Sequence, residues 1–176
     1  MQQTLLALAA LVAFSIWALT RNQDDSELEQ RMLTTEVESA AAEAAVARMG
    51  EITRLSFDEA DVGRTGARTG TTGLTAPGGF GPDGMMEGSE PGFDDVDDFH
   101  GSTRSFKMLW DADSLAFTER VEVSYYDAPT EQAVSARRLA KQITVEVMAD
   151  QDGFVGTPPT VARLRRIVTP AFDTTH

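Results

Sequence analysis

From Thr4 to Thr20 the chain runs through 17 consecutive residues without a charge, and Arg21 ends the run. At about 1.5 Å per residue this stretch spans roughly 25 Å as a helix, a little short of the ~30 Å hydrocarbon core of a bilayer. Such a segment has to lie in a membrane or pack against other apolar surface. Behind it, Asn22 to about Phe57 contains no proline and a single glycine, Gly50. Apolar residues recur there at Leu28, Met32, Leu33, Val37, Ala41, Ala44, Met49, Ile52 and Leu55, an approximate helical stripe. Ser26-Glu27-Leu28-Glu29 reads as a capping box, so one bent helix and two collinear ones both fit. A single helix over residues 1 to 57 would be about 85 Å long, against roughly 35 Å for a domain of ~120 residues. Half of it would project, and the projecting half needs a membrane or neighbours.

Four segments follow from this reading: 1–21 as a hydrophobic membrane or assembly segment, 22–60 as its amphipathic continuation, 61–93 as a loop, and 94–176 as a sheet-bearing head. Residues 61–93 hold ten of the fourteen glycines, with Pro77, Pro82 and Pro91, and cannot bury enough apolar surface to form more than local turns. Leu74, Phe80 and Met85-Met86 are placed to pin this loop to the head. In the head, Val121, Val123 and Tyr125 alternate with polar residues, as do Ile143, Val145 and Val147, while Val161, Leu164, Ile167 and Val168 form a less regular run. One-sided alternation predicts an antiparallel sheet with one face covered, most simply by the amphipathic helix. Residues 135–139 read either as a helical turn or as the start of a strand.

The chain has 28 acidic and 15 basic residues, a formal charge of -13, which repels phosphate backbones and argues against a nucleic-acid partner. Lys107 and Lys141 are the only lysines, and with abundant Asp, Glu and Thr the composition suits a salt-rich medium. With no cysteine, disulfides and thiolate metal sites are excluded. Met1-Gln2-Gln3 supplies no basic n-region, so an uncleaved anchor is expected in preference to a cleaved signal peptide.

Three stretches carry a resemblance. Residues 43–59, closing on Phe57-Asp58-Glu59, look like the end of a long pilin helix. Asp94-Asp95-Val96-Asp97-Asp98-Phe99-His100-Gly101 is similar to an acidic-aromatic motif that follows a glycine-rich loop, and Lys141-Gln142-Ile143-Thr144-Val145-Glu146-Val147 resembles a middle strand. In this order they resemble type IV pilin-like proteins, among them the minor pseudopilins of type II secretion. The usual leader has no counterpart before Thr4, and Leu5 stands where the family carries glutamate. The resemblance implies an α+β, pilin-like fold, a long N-terminal helix packed by its C-terminal half on a small antiparallel sheet. It also implies a structural subunit of a pilus-like or pseudopilus filament. The alternative is a permanently membrane-anchored extracytoplasmic binding or scaffold protein that does not polymerise. Expected partners are copies of itself or other pilin-like subunits and the inner membrane before assembly. The expected location is the inner membrane with an extracytoplasmic head, or an extracellular filament.

The candidate membrane or assembly interface consists of Leu5, Leu6, Leu8, Leu11, Val12, Phe14, Ile16, Trp17 and Leu19. His100 and His176, the only histidines, lack the neighbours of a catalytic base, and no Ser-His-Asp order, phosphate-binding glycine loop or zinc spacing is present. No catalytic residue and no cofactor is therefore expected. Asp94, Asp95, Asp97 and Asp98 are calcium candidates by ligand type, but they miss the EF-hand spacing, so a solvated acidic loop is the expected reading. Phe106, Leu109 and Trp110 are expected in the core.

Overall fold

The structure, a computed structural model, describes residues 11, 14, 17, 34–64, 66, 68–82, 90–110, 113–150 and 160–170; for Leu109, Trp110, Asp113, Asp150 and Thr160 it describes the backbone alone. The chain divides into two compact units, Met1–Ser39 and Ala40–His176. In the first, Leu11, Phe14 and Trp17 have helical backbone and exposed side chains.

A helix, α1, runs over residues 34–52. Its alanine-rich sequence favours helix, and proline is absent. In the second unit Ala41, Ala45, Arg48, Met49 and Ile52 are buried, three or four residues apart for the most part, so they form one face. The amide of Thr53 donates to Met49 O at 3.0 Å. Those of Arg54 and Leu55 then donate to Glu51 O and Ile52 O at 3.3 and 3.2 Å, a tightened last turn that ends the helix.

The sheet has five strands: β1 (Thr103–Trp110), β2 (Asp113–Asp127), β3 (Gln132–Val134), β4 (Lys141–Asp150) and β5 (Thr160–Val168). The order is β1-β2-β4-β5, all pairs being antiparallel, and β3 also pairs with β2. Tyr125 lies opposite Val134 and also opposite Lys141, which places β3 on the same edge of β2 as β1. The inward face carries Phe117, Val121, Val123 and Tyr125 from β2 and Ile143, Val145 and Val147 from β4, all buried. Each such side chain contributes roughly 1.5–3 kcal/mol on leaving water. The strands expected around residues 121–125, 143–147 and 161–168 lie in β2, β4 and β5. Residues 135–140 form no strand and link β3 to β4. β1 was not expected as a strand; its Phe106 is half-buried and stacks on Phe117, ring centroids 5.3 Å apart.

Several expectations are corrected. The described helix covers residues 34–52 and carries Glu36, Glu38, Glu43, Arg48 and Glu51, so it is neither long nor apolar. Its buried apolar residues are Ala40, Ala41, Ala45, Met49 and Ile52, and the sheet, with a 15-residue β2, supplies more of the core than the helix does. Within the second unit the described architecture is therefore the end of α1 with a five-stranded antiparallel sheet, not a long apolar N-terminal helix on a small sheet, and the pilin-like fold does not stand. Among the described residues no helix is long and apolar enough to cross a membrane. The expected transmembrane helix and inner-membrane location are withdrawn on that finding.

Within 61–93 the described backbone forms only short 3-10 turns, at Pro77–Gly79 and Glu90–Gly92. Leu74 is buried with Phe57 and Tyr125, and Phe80 packs against this cluster. Met85-Met86 lies outside the described residues.

Candidate functional site

Where α1 ends, Ser56 runs parallel to Asp95. Its amide donates to Asp94 O at 3.2 Å and its carbonyl accepts from Val96 N at 3.0 Å. This pairing carries Phe57 and Asp58 towards the first residue of β4. There the Lys141 ammonium, with no exposed surface, donates to Phe57 O at 2.6 Å, to Asp58 Oδ2 at 2.9 Å and to Asp97 Oδ1. The three stretches that carried the resemblance thus each bring one charged residue, Asp58, Asp97 and Lys141, to a single buried cluster. The rings of Phe57, Phe80 and Tyr125 surround the same ammonium at 4.6, 5.2 and 5.6 Å from their centroids.

Asp58 serves several donors at once. Its carboxylate accepts from Thr75 N at 3.1 Å, from Ala60 N at 3.3 Å and from the Tyr125 hydroxyl at 3.4 Å. The Tyr125 hydroxyl also donates to Thr75 O at 2.6 Å. Burial, followed by the negative charge of Asp58 and Asp97, pushes the Tyr125 hydroxyl well above its ordinary pKa. The three N–H groups of Lys141 are all engaged, so this side chain ties β4 to the segment after α1 and to the acidic motif.

The acidic motif is folded on itself. Asp98 Oδ2 accepts from Asp94 N at 3.0 Å and Asp95 N at 3.3 Å, and Asp95 Oδ1 accepts from Asp98 N at 3.0 Å. Asp95, Asp97 and Asp98 are buried, which corrects the solvated loop expected from their charge. Burial, then the neighbouring Asp97 carboxylate, pushes the Asp95 carboxyl up to about 8. Among the described residues no group of three or more His, Cys, Asp or Glu is arranged to hold a metal ion. Asp94 Oδ1 is buried without a hydrogen-bond partner. His100 Nδ1 accepts from the amide of Val123 at 3.1 Å, joining the motif to β2. His176 lies outside the described residues.

A second buried ionic network links α1 to the sheet. Arg48, only 2% exposed, donates to Glu51 Oε2 at 3.1 Å and to Glu90 Oε1, lies 3.8 Å from the Glu119 carboxylate, and stands over the Phe99 ring at 4.9 Å. Glu119 is equally buried and accepts from Arg104 Nε at 2.9 Å, while Arg104 also reaches Glu51 at 3.3 Å.

No protein-family model, curated protein or solved structure matches this chain. The candidate site therefore rests on its own geometry. Of the expected interface residues, Leu11, Phe14 and Trp17 are described; Leu5, Leu6, Leu8, Val12, Ile16 and Leu19 lie outside the described residues. Leu11, Phe14 and Trp17 are 68%, 66% and 55% exposed, and the Phe14 and Trp17 rings lie 5.8 Å apart. Sequence reasoning singled out neither Lys141, Arg48 nor Glu119 as buried charges. A signal for them was present. Lys141 is in phase with Ile143 and Val145, Glu119 with Phe117 and Val121, and Arg48 falls on the stripe of Ala41, Ala45 and Ile52.

Proposed function

We propose that the chain is a structural subunit that self-associates through its apolar N-terminal segment and works by packing, without catalysis. The observation that carries this reading is the row of exposed Leu11, Phe14 and Trp17 on successive helical turns. Exposed apolar groups at this spacing share one side of a helix, and contiguous exposed apolar surface marks interaction sites. A second copy is the occupant that charge favours. Copies carrying a net charge of -13 repel one another, whereas Thr4 to Thr20 is uncharged, so it lets two chains approach without bringing like charges together. The Lys141 ammonium supports the same reading, because its three N–H groups all hold the fold together, and His100 Nδ1 is likewise engaged by the Val123 amide.

The absence of native cysteine allows a clean test. The full chain with Leu11→Cys, oxidised at low concentration, should yield disulfide-linked dimers, while Thr130→Cys, on the exposed β2–β3 turn, should not. Equal cross-linking of both, or of neither, would overturn the proposal.

A further inference from the structure

Against the negative charge of the whole chain, one cleft of the second unit is basic. Arg54, Arg64, Arg68 and Arg166 line a cavity of about 560 Å³ between the end of α1, the segment after it and the end of β5. Asp61 is the acidic residue in its wall. That carboxylate is already taken: Arg68 Nε donates to both of its oxygens at 2.8 and 3.0 Å, and Arg64 stands 3.7 Å away. Four positive charges therefore face one negative charge.

The guanidinium groups of Arg54 and Arg166 have no ion-pair or hydrogen-bond partner among the described residues. A cation placed just after a helix often serves to satisfy its last carbonyls. Here the carbonyls of Met49, Glu51 and Ile52 already accept from the amides of Thr53, Arg54 and Leu55, so the Arg54 guanidinium is not needed for that purpose. Arg166 stands in the cleft wall, while its neighbour Arg165, which projects from the opposite side of the strand, does not. Unpaired guanidinium groups gathered in one concavity repel one another, and an oxyanion relieves that repulsion while offering oxygens that match the guanidinium fork. The volume falls in the range of small-molecule sites, about 300–1,000 Å³. Leu55 and Val168 add apolar wall.

We infer that this cleft binds a small oxyanionic ligand, one bearing a phosphate or carboxylate group, gripped by Arg54 and Arg166, with Arg64 and Arg68 adding positive charge. The test is isothermal titration of the full chain with inorganic phosphate and, separately, with citrate, each against sodium chloride of matched ionic strength. At least one probe should bind saturably, one per chain. R54Q/R166Q should weaken that binding by roughly tenfold or more, since two charge-assisted contacts are removed. R165Q should leave it unchanged. Binding of phosphate alone, or of citrate alone, assigns the group recognised. As both substituted arginines are exposed, circular dichroism should show both variants folded, and the bound probe should raise Tm in the wild type but not in the double variant. Failure of both probes to bind, undiminished binding by R54Q/R166Q, or an equal loss in R165Q would overturn the inference.

Discussion

Lys141 and Asp58 are 83 residues apart in the chain and 2.9 Å apart in the fold, both without exposed side-chain surface. The pair ties β4 to the segment that leaves α1, and Asp97 brings in the acidic motif. Removing one partner from a buried ion pair leaves the others desolvated and uncompensated, at a cost of about 3–5 kcal/mol. Lys141→Met should therefore lower the melting temperature by roughly 6–20 °C, given about 2–4 °C per kcal/mol for a chain of this size. Thermal unfolding followed by circular dichroism reads this directly; an unchanged melting temperature would show that the cluster does not hold the fold.

Asp95 sets a pH dependence of unusual sign. Its carboxyl is raised from 3.8 to about 8, first by burial and then by Asp97. Between these values the folded chain holds a proton that the unfolded chain releases, so this residue's contribution to stability falls as pH rises through that window. Asp95→Asn keeps an oxygen for the Asp98 amide and carries no charge. Urea midpoints at pH 5 and pH 8 should differ less for the variant than for the wild type, and the variant should be the more stable at pH 8. Identical pH profiles would contradict the assignment.

Arg48 is required as arginine. Its guanidinium reaches Glu51 and Glu90, faces Glu119 and stands over Phe99, an arrangement that uses a planar, multiply donating group. Arg48→Lys should cost about 1–3 kcal/mol, and Arg48→Met more, because Glu119 then stays buried with Arg104 as its remaining cation. Chemical denaturation of the two variants checks the order; equal stability of lysine and arginine would count against the network.

The acidic motif should ignore calcium. The Asp95 and Asp98 carboxylates each take backbone amides, and Asp97 takes the Lys141 ammonium, whereas Ca²⁺ asks for about 6–8 oxygens turned inward. Titration with CaCl₂ should give no saturable heat and no rise in Tm. A stoichiometric binding isotherm would overturn this account of the motif.

How far the fold was legible depended on the phase of the pattern. Val121, Val123 and Tyr125, or Ile143, Val145 and Val147, announce strands because apolar residues alternate there. Glu119 and Lys141 lie on the same inward face yet read as polar, since composition alone assigns a charge to water. Only pairing across elements, Lys141 with Asp58 and Asp97 or Glu119 with Arg48 and Arg104, makes their burial possible, and that pairing is invisible along one strand. The stripe at Ala41, Met49 and Ile52 was legible; its extension into one long apolar helix was not supported. The arginine cleft joins residues more than a hundred positions apart, Arg54 and Arg166, and no local spacing in the chain announces it.

Self-association is most directly measured by sedimentation equilibrium of the full chain over a wide concentration range, beside a variant with Leu11, Phe14 and Trp17 all changed to serine. The wild type should show a mass that rises with concentration above the 19.1 kDa of one chain, and the variant should stay at that mass. A wild type that remains a single chain throughout, or a variant that associates equally well, would contradict the structural role proposed for this protein.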